Sequence, residues 1–265
     1  MANLKEIRIR MASVESTQKI TSAMKMVSAA KLRRAQNTIL KMRPYAKELS
    51  SILSHLLSTV SEGESNLLEM QRVPEKVVMV IITSNKGLCG GFNNNVIKRM
   101  ESLLSGEYAT QMARNQVQFI SIGKKATEYL NRKKYPVEAS YESILDHCTF
   151  AEAGEIAEGL MNQFSHKEID KVVMVYNKFK NAATQVLMNE TFLPIHFEET
   201  PVVFTKANVG EKAGEEMHAS TNDFIFEPSR NELYQQLVPS MTKMKFYQCL
   251  LESIAAEHGA RMTAM

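Results

Sequence analysis

Several features that mark common protein classes are missing from this sequence of 265 residues. It has no tryptophan and only three cysteines, Cys89, Cys148 and Cys249, which stand far apart. Their spacing matches neither a metal site nor a disulfide framework, and it favours a reducing compartment. No run reaches the ~18 apolar residues of a membrane span, so we expect none. The first ten residues lack an apolar core, so we expect no secretory signal there.

Signals of catalysis or cofactor binding are also weak. Cys89 would need a neighbouring base to act as a nucleophile, so we interpret it as a small buried side chain. The acidic residues show no pairing typical of acid–base chemistry. A glycine-rich segment at Gly87, Gly90 and Gly91 follows a predicted strand, but it is neither GxGxxG nor a P-loop. We interpret it as a tight strand-to-helix turn that needs positive φ, with nucleotide binding as the minor alternative. We predict no catalytic residue, no cofactor and no metal.

The first 60 residues contain one uninterrupted 3.5-residue register of mostly apolar positions. Such a repeat predicts a helix of roughly 85 Å that forms a left-handed coiled coil with a second helix. Pro44 falls inside the pattern and predicts a kink or a local break. The principal seam positions are Leu4, Ile7, Met11, Val14, Leu32, Ile39, Leu49 and Leu53.

Polar residues replace apolar ones in part of this register, at Gln18, Thr21, Lys25 and Ser28. In the same turns, apolar side chains such as Ile20 move to other faces of the helix. Either a wide interface buries several faces there, or the helix presents a surface to a second partner. The sequence leaves both interpretations open.

A second long helix is predicted at the end of the chain, with 3-4 spacing at Met241, Met244, Leu251 and Met262. Ser229 is a candidate N-cap, since Glu232 follows three residues later, and Pro239 predicts a disturbance. The pattern reaches Met265 without a stop signal, so we expect a helix that is cut rather than finished. The two seams are natural antiparallel partners.

Strands and helices alternate between these two helices, which predicts a mostly parallel sheet with right-handed crossovers. We predict domains over residues 1–61 and 229–265 for the helices and 74–226 for the α/β segment. The predicted strands are 76–83, 117–122, 171–176, 184–197 and 223–226, and the predicted helices are 95–105, 124–133 and 150–164.

Positive charge is concentrated at the start of the chain. Residues 1–43 hold ten Lys and Arg against two acids, a net charge of +8, which leaves −5 for the rest of a chain whose total is +3. Such a segment favours an acidic partner: nucleic acid, anionic lipid or an acidic protein loop. Nucleic acid is disfavoured, because the apolar register runs through the basic region instead of following it.

Three ordered motifs resemble the gamma subunit of F-type ATP synthases: residues 20–32 (ITSAMKMVSAAKL), 88–93 (LCGGFN) and 260–265 (ARMTAM). The resemblance spans essentially the whole chain. It implies an α/β fold class in which a long antiparallel two-helix coiled coil joins a Rossmann-like globular domain. It also implies a non-catalytic central rotor stalk that couples proton flow to ATP synthesis or hydrolysis, on the cytoplasmic face of a bacterial inner membrane.

The resemblance further implies partners and contacts. The partners are the alpha and beta subunits, the epsilon subunit and the membrane ring of c subunits. An acidic loop of beta is expected to face Met24, Lys25 and Arg261, and Phe226, Glu227 and Pro228 resemble the foot on the ring. Family members continue the last helix beyond the third motif to a tip, so bearing contacts are not assigned here.

Two alternative functions, from other functional classes, also agree with the residues alone. A coiled-coil adaptor or chaperone with an α/β head would share the long helices, but it would not copurify with alpha and beta subunits. A nucleotide-dependent reductase would need tight binding of NAD or flavin by the isolated chain.

Overall fold

A computed structural model describes residues 4–59, 67–195, 227 and 229–265. These residues form six α-helices: α1 (Leu4–Thr59), α2 (Phe92–Ser105), α3 (Ala109–Ala113), α4 (Lys124–Lys133), α5 (Phe150–Ser165) and α6 (Arg230–Ala264). They also form five strands: β1 (Val77–Ile82), β2 (Val117–Ile122), β3 (Val137–Tyr141), β4 (Lys171–Phe179) and β5 (Gln185–Leu193). Short 3-10 helices lie at Leu67–Glu69 and Ser143–Leu145.

The strands of the described chain form one sheet in the order β3-β2-β1-β4-β5. The pairs β1–β2, β1–β4 and β2–β3 are parallel, whereas β5 adds an antiparallel edge next to β4. Every residue of the central strand β1 is buried, since parallel strands in such folds are covered on both faces. This explains why β1 is a continuous apolar run instead of an alternating one.

Helices cover both faces of the sheet. Alternate residues of β1, such as Met79 and Ile81, pack with α2 and α4 on one face. Val78 and Val80 point to the other face, where α5 and α6 cover the sheet and Leu53 of α1 joins the core. The α/β domain therefore has three layers: α2 with α4, the sheet, and α5 with α6. The long helix α1 packs against α6.

Both long helices continue through their prolines. The structure assigns helix on each side of Pro44 in α1 and of Pro239 in α6, so the local break considered for α1 does not occur. The predicted cap of α6 is present: the Glu232 amide donates to Ser229 Oγ at 3.2 Å. No helix in the described part of the chain is long and apolar enough to cross a membrane.

The predicted fold class is confirmed: two long helices join a mostly parallel α/β domain. Two elements of the fold, β3 and the short helix α3, were not predicted. β3 is an edge strand with half-buried Val137, Ala139 and Tyr141 on one face, so its apolar content is too low to stand out. The strand predicted at 223–226 lies outside the described residues, and the exact domain boundaries stay predictions.

Candidate functional site

The long helix α1 has a packed half and an exposed half. From Ser28 to Leu56 its buried positions follow the 3.5-residue register, including the predicted seam residues Leu32, Ile39, Leu49 and Leu53. From Leu4 to Ile20 every residue is exposed, and the apolar side chains of the same register stand in solvent. Met11 and Val14, for example, are 67% and 68% exposed. Within the described part of the chain, no residue covers this apolar stripe, which lies in the register of the packed seam.

The packed half of α1 lies against α6. Leu32, Ala35, Ile39, Met42 and Ala46 form a cluster with the α6 residues Met244, Leu251, Ile254 and Ala255. Fully burying each Leu, Ile or Met side chain of this cluster stabilises the contact by roughly 1.5–3 kcal/mol, and each alanine contributes less. The predicted seam residues Met241 and Met262 are half-buried.

Apart from its last three residues, the C-terminal part of α6 is buried on all sides. Every residue from Cys249 to Arg261 is buried, because α6 packs on α1, on α5 and on β4. Small residues let this happen: Ala256 and Ala260 pack on Cys89 and Phe92 beside the turn that follows β1. The helix α6 is thus both the partner of α1 in the long helical pair and part of the core of the α/β domain.

The turn between β1 and α2 is fixed by a polar network. The Ser84 amide donates to Asn93 Oδ1 at 2.9 Å, and Asn93 Nδ2 donates to Ser84 Oγ at 2.8 Å and to Cys89 Sγ at 3.2 Å. Cys89 is 2% exposed, so it acts as a small buried side chain within the network.

Positive φ in this turn falls on only one of the three predicted glycines. Gly90 has φ +60°, but the second such residue is Leu88, with φ +63°. Gly91 has φ −79° and is the N-cap of α2, and Gly87 does not lie in the left-handed region. An exposed leucine at positive φ carries no sequence signal that would have revealed it.

Arg261 joins α6 to this turn. Its guanidinium forms an ion pair with Glu257 at 2.6 Å and donates to the Lys86 carbonyl at 2.9 Å. Both charged side chains are 10% exposed. Burial raises the pKa of Glu257, and the neighbouring Arg261 and Lys31 oppose that rise. Because both partners are removed from water, each depends on the other for compensation.

His258 lies beside this pair and stays neutral near pH 7. Burial is the largest cause that lowers its pKa, to about 4, and the positive charges of Arg261 and Lys31 add to it. A neutral imidazole does not compete with Arg261 for Glu257. Arg261 stands in the third motif, whereas its neighbours Glu257, His258 and Lys31 were not predicted. The i, i+4 spacing of Glu257 and Arg261 is the sequence signal that could have indicated the pair.

The predicted contact residues occupy different environments. Met24 is half-buried and Lys25 is exposed on α1, whereas Arg261 is buried on α6 with its guanidinium bound inside the chain. Glu227 is exposed, while Phe226 and Pro228 lie outside the described residues. No group of three or more His, Cys, Asp or Glu side chains suited to a metal ion occurs among the described residues.

A family model described as "ATP synthase" matches residues 3–265. An ATP synthase gamma chain of Flavobacterium johnsoniae is 45% identical over 265 residues, covering 100% of this chain and 85% of its own length. That of Cytophaga hutchinsonii is 41% identical over 266 residues, covering 100% of this chain and 86% of its own. The chain belongs to the ATP synthase gamma-chain family.

Solved structures agree with this membership at the level of the fold. The central stalk of the Tetrahymena thermophila mitochondrial ATP synthase superposes with a TM-score of 0.62 at 24% identity, covering 92% of this chain and 97% of its own. The rotor of the Euglena gracilis mitochondrial enzyme gives 0.57 at 17% identity, covering 99% of this chain and 90% of its own. As a gamma chain, the protein is a non-catalytic subunit of the central stalk of an F-type ATP synthase.

Proposed function

We propose that this chain rotates inside a ring of alternating alpha and beta subunits and couples proton flow to ATP synthesis or hydrolysis. The observation that carries the proposal is the exposed half of α1. Its exposed apolar residues from Leu4 to Val14 lie in the same register as the packed seam and extend over about three helical turns. A helix of 56 residues extends roughly 84 Å at 1.5 Å per residue, long enough to project well beyond its domain.

The packing of α6 suits the transmission of torque. Because α6 belongs to both the stalk and the core of the α/β domain, twisting the domain turns the stalk with it. Three chemically identical catalytic sites around an asymmetric shaft would each be in contact with a different face of the shaft. Rotation would then pass each site through binding, closure and release, as a conformational coupling between sites.

The charge of α1 supports contact with an acidic loop of beta. Lys25 is exposed next to half-buried Met24, within the segment of net charge +8. Two opposite charges 4 Å apart interact by about 4 kcal/mol at an effective dielectric of 20, before desolvation is subtracted. Arg261 is held by Glu257 and Lys86, so within this proposal it supports the contact surface from inside.

At the other end, the α/β domain would sit on the membrane ring of c subunits beside epsilon. Glu227 is exposed at the start of α6, where a foot on the ring is proposed. The protein would then be peripheral, on the cytoplasmic face of a bacterial inner membrane. Bacterial gamma chains among the relatives support that location.

Reconstitution with alpha and beta subunits tests the proposal. We expect a hexamer that carries one copy of this chain and an ATPase rate that depends on it. Lys25→Glu should lower the coupling of hydrolysis to rotation, because it puts a carboxylate opposite the acidic loop. Lys47→Glu, another exposed α1 lysine, is the matched control and should leave coupling unchanged. Failure of the wild-type chain to associate with alpha and beta would contradict the proposal.

A further inference from the structure

The turn between β4 and β5, residues 180–184, touches the last turns of α6. Thr263 Oγ1 lies 2.8 Å from the Ala182 carbonyl oxygen and 3.1 Å from the Gly259 carbonyl oxygen of its own helix, and the nearer of the two acceptors is in the turn. One helical turn earlier, a Cβ added at Gly259 would lie 3.4 Å from Ala182 Cα, from its carbonyl oxygen and from Phe179 Cε2. A side chain would therefore meet the turn at the short limit of ordinary van der Waals contact, so the turn packs directly on the backbone of the helix at this position.

The turn is held in shape by its own hydrogen bonds. Asn181 Oδ1 accepts from the amides of Ala183 at 3.0 Å and Thr184 at 2.6 Å. The Asn181 amide in turn donates to the Thr184 carbonyl at 3.1 Å. An Asn side chain that bonds the backbone two residues ahead fixes a turn locally. The Ala182 carbonyl is thus presented to α6 by a preformed loop.

Other elements hold the same part of α6 on its neighbouring faces. Arg261 binds the turn after β1 through the Lys86 carbonyl, and Ala260 packs with Cys89 in that turn. Phe179, at the end of β4, packs both against that cluster and against the cluster that joins α1 to α6. The end of α6 is therefore enclosed by α1 and by two turns of the α/β domain.

We propose that the β4–β5 turn is a torque-bearing contact in which Thr263 is the positioning residue. The contact fixes the angle of the stalk relative to the α/β domain, so that both rotate as one body. This inference rests on the proposed function, since only a rotating chain carries torque between these parts. It predicts that the contact stays closed throughout turnover.

Thr263→Val tests the contact in the complex with alpha and beta. Thr263 is exposed, so the valine removes the hydroxyl without disturbing the core, and Thr263→Ser is the control that keeps it. Losing one ordinary hydrogen bond corresponds to a factor of about five in a local opening equilibrium. We therefore expect the contact between the turn and α6 to be open about five times more often in the valine variant only.

The mechanical readout uses a probe on the α/β domain and an immobilised hexamer. During catalytic pauses, Thr263→Val should widen the angular fluctuations of the probe, whereas Thr263→Ser should match the wild type. Equal fluctuations in the wild type and in Thr263→Val would overturn the inference while leaving the proposed function intact. A wild-type chain that does not rotate would instead contradict the proposed function.

A reversible lock provides the second arm. Ala182→Cys with Gly259→Cys, in a chain whose native cysteines are replaced by alanine, places two thiols where helix and turn are closest. Oxidation should leave the rotation rate and the ATPase rate equal to those of the reduced form. A disulfide across a contact that stays closed throughout turnover prevents no motion that turnover needs. Rotation that stops on oxidation and resumes on reduction would overturn the proposal.

Discussion

At the scale of single residues, the Arg261–Glu257 pair is the buried ion pair where α6 meets the turn after β1. Both side chains are almost wholly buried, and Arg261 also binds a backbone carbonyl of the turn after β1. Removing one partner of a buried pair leaves the other charge without compensation, which is costly, whereas replacing both is much less so.

Arg261→Met is therefore expected to destabilise the chain by about 3–5 kcal/mol. The double variant Arg261→Met with Glu257→Gln should recover most of that loss, because no buried charge then remains unpaired. Arg114→Met, at an exposed arginine, is the matched control and should change little. Equilibrium urea unfolding of all four proteins measures the differences; a double variant as unstable as the single one would contradict the explanation.

Glu252 is a buried acid whose charge is poorly compensated. It is 8% exposed, Gln248 donates to one carboxylate oxygen at 3.0 Å, and Oε2 has no hydrogen-bond partner among the described residues. Burial is the main cause that raises the pKa of Glu252 above its ordinary value of 4.5, and Glu190 adds to it. The Gln248 bond and the charges of Lys178 and Arg43 oppose the rise.

Glu252 should therefore make stability pH-dependent. The native state holds this proton to a higher pH than the unfolded chain does, so stability falls as the pH rises from about 4.5 through the raised pKa. Glu252→Gln should melt at a higher temperature than the wild type at pH 8 and lose that advantage near pH 4.5. Melting curves across this range measure it, with exposed Glu155→Gln as control. A constant difference at every pH would contradict this role.

In the contacts between α6 and the turns after β1 and β4, side chains could be predicted from the sequence but backbone partners could not. Cys89 was interpreted as a small buried side chain, and the structure places it in the core of the turn. The partners of Arg261 and Thr263, by contrast, are the carbonyls of Lys86 and Ala182. Every residue has a backbone carbonyl, so no residue type could have indicated which carbonyls accept from Arg261 and Thr263 of α6.

At the scale of elements, α1 is one helix in two environments. Ile39 is 8% exposed within the α1–α6 cluster, while Val14, in the same register, is 68% exposed. Ile39→Ala should cost roughly 2–5 kcal/mol, since it removes buried methylene groups and leaves a cavity. Val14→Ala should stay within about 0.5 kcal/mol in the isolated chain. Urea unfolding compares them, and equal losses would contradict the division of α1 into a packed and an exposed half.

The sequence predicted the buried positions of α1 better than those of α6. The 3.5-residue register marks the buried positions of α1 from Ser28 to Leu56, because this helix packs on one side only. The same spacing in α6 marks a single seam, whereas the helix is buried on every face near its end. Its small residues Ala255, Ala256, Gly259 and Ala260 are the signal of that burial, and they have no 3.5-residue period.

At the scale of the whole molecule, a rigid three-layer domain and a projecting helix share one central element, α6. The order of strands and helices followed from apolar runs and turns, because β1, β2 and β4 are covered on both faces. The edge strand β3 escaped prediction for the opposite reason, since half its side chains face solvent. The position of the domain relative to partner subunits depends on surfaces that no internal periodicity encodes.

Direct observation of rotation tests the central claim most directly. The alpha–beta hexamer is immobilised with this chain inside it, a probe is attached to the α/β domain, and ATP is added. We expect stepwise rotation in one direction that stops when ATP is withdrawn and persists in the Lys47→Glu control. A complex that hydrolyses ATP at the full rate while the probe stays still, or a hexamer equally active without this chain, would contradict the role of rotating shaft.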